Sequence, residues 1–271
     1  SSMDADHLDI YHTEENIRKG FEAYISQIRD KGKLIHKFGL NPQVPGHVER
    51  YSYALDNEEA DYHTRRIRFS GLGTIYSVVT PDSVIPEIHL GLPGLLNVEN
   101  SLAAVAVAHQ LGLSPETIVR ALSEYKGVER RFDVQVNTER GIYIDDYAHH
   151  PEEISAFLGS LKQLFPHKKI TGIFQPHLFT RTRDFADGFA RSLEMLDELI
   201  LMEIYPAREE AIPGINSRML LDKVNLKEKV LVSAEQLLRV VRERDPELLV
   251  TMGAGDINQF VAPLKEWYLR I

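Results

Sequence analysis

Gly141-Ile142-Tyr143-Ile144-Asp145-Asp146-Tyr147-Ala148-His149-His150-Pro151 is the stretch on which the fold turns. Gly141–Ile144 is rich in β-branched and aromatic residues and reads as a strand, and Pro151 is suited to the first turn of a helix. Strand, polar turn and helix in that order begin a βαβ unit. Downstream, apolar strand candidates at Ile170–Phe174, Leu199–Met202, Val230–Val232 and Leu248–Met252 alternate with helical segments, and Phe132–Val136 adds one strand upstream. Continuous apolar strands separated by helices predict a mostly parallel, doubly wound α/β sheet covered on both faces.

Further upstream the pattern differs. Ile17, Phe21, Ile25 and Ile28 recur at helical spacing behind Thr13, which predicts a helix to Lys31. Short strands are expected at Lys33–Phe38, Arg50–Leu55, Ile67–Phe69 and Thr74–Val79. Helices follow at Asn97–Leu111 and at Pro115–Tyr125, the latter behind a Ser114 cap. The change of pattern places a boundary near residue 127, with one domain over 1–127 and a second over 128–271. The second reads as complete, whereas the first begins abruptly and reads as truncated.

Composition narrows the classes of function. The chain of 271 residues has room for two cores at about 100–200 residues per domain. No apolar run approaches the roughly 18 residues of a membrane helix, Ser1–His7 lack the basic start and apolar centre of a signal peptide, and there are no cysteines, so the cytoplasm is the expected compartment. A net charge of −9 argues against a general nucleic-acid binder, although a small phosphorylated ligand needs only a few local cations.

In an open α/β sheet, ligands bind outside the carboxyl ends of strands, where Asp145–His150 falls. Paired carboxylates there can accept ribose hydroxyls, bind a cation or orient an amine, and histidine can donate to a carboxylate or phosphate. The plainer alternative is that Asp caps the turn and the histidines are solvated. Phe174-Gln175-Pro176-His177-Leu178-Phe179-Thr180-Arg181-Thr182-Arg183-Asp184 is a second cluster at a strand end. Arginines at a helix start suit an anion, but Arg183 is equally suited to pairing with a neighbouring acid. Arg130 and Arg131 lie at the proposed domain junction. Gly253-Ala254-Gly255-Asp256 lacks the spacing of a dinucleotide fingerprint and reads as a tight turn. His7, flanked by Asp4, Asp6 and Asp9, is either a divalent-cation ligand or part of a polar loop.

Taken in order, these segments resemble the Mur ligase family. Asp4-Ala5-Asp6-His7-Leu8-Asp9 is similar to the family's Glu-Ala-Asp-His-x-Asp segment. Pro93-Gly94-Leu95-Leu96-Asn97-Val98-Glu99-Asn100, Gly127-Val128-Glu129-Arg130-Arg131-Phe132, Asp145–Pro151, Gln175-Pro176-His177 and Gly253–Asp256 follow in the family's order. The resemblance spans essentially the whole chain. It implies the remainder of a central Mur-ligase ATPase domain followed by a doubly wound, Rossmann-like, amino-acid-binding carboxy-terminal domain.

The resemblance also implies a reaction: ATP-dependent joining of L-alanine to the carboxylate of UDP-N-acetylmuramate through an acyl phosphate, in peptidoglycan precursor synthesis. ATP and Mg2+ are the implied cofactors, and neither nucleic acid nor membrane is an expected partner. His7 matches a magnesium-binding histidine, and Asn97 and Asn100 match asparagines facing adenine. Asp146 matches a ribose-binding aspartate and Arg131 a phosphate-binding arginine. Tyr147, His149, His177 and Arg181 would face the muramate carboxylate, the incoming amino acid or the transferring phosphate, with Arg131, His149, His177 and Arg181 as the catalytic group.

The chain departs from the family at Leu96, where histidine is common, and at Leu178, where arginine is common in the alanine-adding member. No Gly-x-x-x-x-Gly-Lys-Ser/Thr loop occurs, which predicts that this chain alone is inactive. Ala5 favours alanine addition over the family's recycling reaction, which attaches a preformed tripeptide to the same nucleotide sugar. A non-catalytic nucleotide-sugar-binding module and a Rossmann-type oxidoreductase are the competing readings from other classes. The oxidoreductase lacks its glycine fingerprint.

Overall fold

The computed structural model describes residues 3, 11 and 13–270. The chain separates into two compact units, 1–126 and 127–271.

The first unit opens with α1 (Glu14–Ile25), whose first turn is capped by the Thr13 hydroxyl accepting from the Asn16 N–H at 3.2 Å. It ends six residues before the expected Lys31. The Ser26 hydroxyl donates to the Ala23 carbonyl at 2.7 Å, and the chain continues in turns that place Ile28 beyond the helix. Five strands follow: β1 (Lys33–Lys37), β2 (Glu49–Ala54), β3 (Tyr62–Ser70), β4 (Gly73–Val79) and β5 (Val84–Leu90). They lie side by side in chain order, parallel from β1 to β3 and antiparallel from β3 to β5. Gly71, at φ +58°, makes the tight β3–β4 turn.

Strand β5 was not anticipated, because Pro86 and Glu87 interrupt its apolar pattern. It forms at the sheet edge, where proline withholds no hydrogen bond from a second neighbour. Helices α2 (Leu95–Gln110) and α3 (Pro115–Glu124) complete the unit. Val98, Leu102, Val105 and Ala106 of α2 and Ile118 of α3 pack against Tyr53, Tyr62, Tyr76, Val78, Ile85 and Ile88.

The second unit is built on β6 (Asp133–Asn137), β7 (Ile142–Asp146), β8 (Ile170–Phe174), β9 (Glu198–Met202), β10 (Lys229–Val232) and β11 (Leu248–Met252). Their order is β10-β9-β8-β11-β7-β6, all parallel except the edge strand β6. The helices are α4 (Pro151–Leu164), α5 (Phe179–Asp184), α6 (Ala186–Leu193), α7 (Ser217–Lys223), α8 (Ala234–Arg244) and α9 (Val261–Leu269), with a 3-10 turn over Asp256–Phe260.

Successive strand residues point to opposite faces. Ile142, Ile144, Phe174, Leu199, Leu201 and Val250 therefore meet Ile154, Leu158 and Leu161 of α4, Phe189 of α6 and Leu220 of α7. Tyr143, Ile173, Ile200 and Leu249 meet Leu237 and Val241 of α8, Ile257, and Leu264 of α9. Both faces are buried, which is why these strands read as unbroken apolar runs. Full burial of each leucine or isoleucine contributes roughly 1.5–3 kcal/mol. The α/β, doubly wound expectation holds for this unit, and the first unit adds a mixed sheet.

The register brings Asp146, Met252 and Phe174 into one row, with Phe174 paired to Leu201. The segments leaving β7, β8, β9 and β11 consequently emerge along one edge of the sheet.

Candidate functional site

Asp145 and Asp146 end β7, and strand alternation sends them different ways. Asp145 is buried and accepts from the Thr251 hydroxyl and from Arg130 Nε at 3.1 Å. The Tyr143 hydroxyl lies 3.0 Å from Thr251 Oγ1. Arg130 also donates from its guanidinium to the Gly253 carbonyl. Burial raises the Asp145 pKa even against Thr251 and Arg130.

Asp146 accepts the Phe132 N–H at 2.7 Å and the Ala148 N–H at 2.8 Å. Burial pushes its pKa up to about 6, although these two N–H groups and Arg131 pull the other way.

The segment entering this unit is backbone-strained. Arg130 and Phe132 both have positive φ, at +61° and +48°. The Phe132 N–H is held by Asp146, and its ring sits edge-on to Phe157 with centroids 5.2 Å apart. Arg130 is fixed by Asp145 and Gly253. Arg131 between them is exposed and makes no ion pair among the described residues. Both guanidinium groups lie over the Tyr147 ring, at 4.9 Å for Arg130 and 5.9 Å for Arg131.

The aromatic row continues along the sheet edge. Tyr147 contacts His149 at 5.2 Å, His149 contacts His177 at 6.3 Å, and His177 stacks on Tyr205 at 5.7 Å. His149 Nδ1 lies 3.0 Å from the Tyr147 carbonyl and 3.2 Å from Glu153. Glu153 caps α4 by accepting the N–H groups of His149 and His150 at 3.0 and 3.2 Å.

After β8, Gln175 accepts the Ile257 N–H at 2.9 Å and donates to Asp256 at 2.7 Å, tying this loop to the Gly253–Asp256 turn. Gly255 has no room for a Cβ, which would collide with Gln175 Oε1 and stand 2.7 Å from Tyr205 Cβ. The turn's glycines therefore serve close packing. Arg183 pairs with Asp184 at 2.7 Å, the plainer of its two readings.

His177 has its pKa lowered by burial first, then by Arg181 and His149, so it is neutral at pH 7. His177 Nδ1 and Arg181 Nη1 are buried without hydrogen-bond partners. Two donor-capable nitrogens left without partners at the carboxyl edge of a parallel sheet suit a small anionic group.

Asn97 and Asn100 belong to α2 of the first unit. The Asn97 amide donates to the Pro93 carbonyl at 2.7 Å, and Asn100 and Leu96 are exposed. His7 lies outside the described residues. A cavity of about 460 Å3 lined by Glu129, Arg130, Asp133, Gln135, Asp145 and Lys265 carries both signs of charge and includes none of Tyr147, His149, His177 and Arg181.

Sequence reasoning missed Tyr205, Glu209 and Thr251. The available signal was position: Tyr205 and Glu209 follow a parallel strand, the location that drew attention to the other two loops.

Such an edge, with cations, imidazoles and a carboxylate contributed by several loops, lies where open α/β sheets of nucleotide-dependent enzymes bind their ligands. Residues 1–108 match the Mur ligase middle domain, and residues 130–255 match the Mur ligase glutamate ligase domain. The chain belongs to the Mur ligase family.

It is 46% identical over 268 residues to UDP-N-acetylmuramate–L-alanine ligase of Parabacteroides distasonis, covering 98% of this chain and 58% of that protein. Identity to the ligase of the same name from Flavobacterium johnsoniae is 42%, again covering 98% and 58%. The crystal structure of UDP-N-acetylmuramate-alanine ligase from Thermotoga maritima superimposes with a TM-score of 0.76 at 27% identity, covering 98% of this chain and 57% of that one. The chain thus spans under two thirds of the length of these relatives. No helix among the described residues is long and apolar enough to cross a membrane.

Proposed function

We propose that this chain forms the carboxy-terminal portion of an ATP-dependent ligase that joins L-alanine to the carboxylate of UDP-N-acetylmuramate in peptidoglycan precursor synthesis in the cytoplasm. Residues 1–127 are the later part of its central ATP-binding domain, and residues 128–271 are its amino-acid-binding domain. The 46% identity to an alanine-adding ligase supports the choice of reaction. The observation that carries the site is that two buried nitrogens, His177 Nδ1 and Arg181 Nη1, have no hydrogen-bond partner.

A carboxylate resists an amine because its charge repels the nucleophile and oxide is a poor leaving group. Bound ATP supplies the phosphoryl group that converts this oxygen into a leaving group, and Mg2+, for which His7 is the expected ligand, screens the phosphates. Exposed Arg131 suits a phosphate, and the Asp146 carboxylate suits ribose hydroxyls. Asn97 and Asn100 are assigned to the adenine side. Asn97 retains its side-chain oxygen and one N–H beyond the bond to Pro93. Arg181 and neutral His177 hold the amino-acid carboxylate by hydrogen bonds, which orients the amine toward the activated carbonyl. Tyr147 and His149 complete the wall between this subsite and Arg131.

The test is ADP release by the full-length gene product. Release should require both UDP-N-acetylmuramate and L-alanine, and the 271-residue chain alone, which contains no Gly-x-x-x-x-Gly-Lys-Ser/Thr loop, should release none. Faster turnover with a preformed tripeptide than with alanine would overturn the assignment.

A further inference from the structure

The loop after β9 carries no motif, yet it grips the His177–Arg181 segment at two points. The Tyr205 N–H donates to the Pro176 carbonyl at 2.8 Å, and the Tyr205 carbonyl accepts the Leu178 N–H at 2.9 Å. These bonds bracket the residue on which the Tyr205 ring stacks, His177. Four residues later, Glu209 accepts the Thr180 N–H at 3.0 Å through one oxygen and the Thr180 hydroxyl at 2.5 Å through the other. The intervening chain is folded back by the Glu209 N–H bonding to the Pro206 carbonyl at 2.9 Å, with Ala207 at φ +50°.

Thr180 immediately precedes Arg181. The helix that carries both is only six residues long, too short to fix its own direction. Its N-cap, Leu178, has φ +71° and ψ 137°, a combination that a leucine holds only when its surroundings impose it. The side chain of Leu178 supplies no cap, so Glu209 takes over that function from a different loop. Both Glu209 oxygens are engaged by Thr180, which ties the acid to the start of α5.

We propose that Glu209 is a positioning residue of the amino-acid subsite: by clamping Thr180 it sets the direction of α5 and thereby aims Arg181, next to His177, at the substrate carboxylate. This inference rests on the assignment of His177 and Arg181 to that carboxylate.

In the full-length enzyme, Glu209→Ala should raise KM for the amino acid by about tenfold, with the KM values for ATP and the nucleotide sugar within about twofold of the parent. Glu209→Gln retains one acceptor and should fall between the two. Thr180→Val, which removes the hydroxyl but keeps the N–H, should raise the amino-acid KM by about threefold and provides the test if the alanine variant does not fold. An unchanged amino-acid KM in these variants overturns the proposal. So does a parallel change in all three KM values together with a fall in Tm, because that is the signature of general destabilisation. Arg181→Gln separates the two claims. If it leaves the amino-acid KM unchanged, the subsite assignment fails; if it raises that KM while Glu209→Ala does not, only the role of Glu209 fails.

Discussion

Arg130 and Asp145 form a buried ion pair, Nε to Oδ2 at 3.1 Å, that ties the strained entry to the second unit to the end of its β7 strand. Asp145 is 1% exposed and Arg130 is 20% exposed. The adjacent Arg131 is exposed, so two neighbouring arginines sit in different environments.

Removing one partner of such a pair leaves a buried charge without compensation, and the expected cost is about 3–5 kcal/mol. Arg130→Met should lower the unfolding midpoint of the second unit in urea by a corresponding amount. Arg130→Lys should recover little, because one ammonium replaces a planar fork that reaches both Asp145 and Gly253. Lys223→Ala is the control. Its pair with Asp187 at 2.8 Å is solvent-exposed, and its loss should cost under about 1 kcal/mol. Equal effects from the two sites would contradict this account of Arg130.

The carboxyl of Asp146 should titrate near pH 6. Burial lifts its pKa from 3.8 to about 6, so the folded protein binds this proton more tightly than the unfolded chain. Its stabilising contribution, about 3 kcal/mol, is fully present below pH 4 and disappears as pH rises through 6. Carboxyl 13C NMR of Asp146 reads the midpoint directly, and Arg131→Ala should move it upward by removing a nearby cation. Nucleotide affinity has the opposite trend if the carboxylate accepts ribose hydroxyls: it should fall as pH drops below 6. A midpoint near 4 would refute the effect of burial.

Gly255→Ala should disturb the aromatic row from below. Its Cβ meets Gln175 Oε1 and Tyr205 Cβ, neither of which is the loose end of an exposed chain. A cost of about 1–3 kcal/mol is expected, with Tyr205 displaced from His177. Gly46→Ala provides the contrast, since a Cβ there meets nothing within 4 Å. Thermal unfolding of the two variants should differ clearly, and the same Tm for both would argue against tight packing at the turn.

The parts of the fold legible in the sequence were those whose burial is set by chain periodicity. Ile170–Phe174 and Leu248–Met252 are buried on both faces of a parallel sheet, so their apolar runs coincide with their strands. Val84–Leu90 escaped because an edge strand tolerates Pro86, and with a register shift opposite it the strand buries only Ile85, Ile88 and Leu90. The extension of β3 back to Tyr62 escaped because Thr64, Arg65 and Arg66 break the pattern, and a bulge shifts the register between Arg65 and Arg68. At the site, Tyr147, His149 and His177 were visible because they cluster in motifs at strand ends, and the fold sets them in a row. Tyr205 and Glu209 were not visible, since a support on one loop and the residue it supports on another have no fixed spacing in sequence. Asp145 and Asp146 looked like a pair of equivalents. Only strand alternation and burial reveal that the first is locked to Arg130 and Thr251 while the second faces the loop backbone.

His177 links the proposed subsite to both loops, and its protonation should report on each. Burial, Arg181 and His149 lower its pKa, while Glu209 raises it. The imidazole is therefore harder to protonate in the folded protein than in the unfolded chain. Its contribution to stability is present above the ordinary histidine value and is lost as pH falls below it, where the unfolded chain takes up the proton first. Ring NMR should place the His177 midpoint below 6.5, the ordinary value for this group. Arg181→Gln should raise the midpoint by removing a neighbouring cation, and Glu209→Gln should lower it by removing a neighbouring anion. Opposite shifts from two substitutions in one cluster separate electrostatics from loosening of the site, since loosening would hydrate the ring and raise the midpoint in both. Two upward shifts would therefore mean that Glu209 acts on His177 through packing alone.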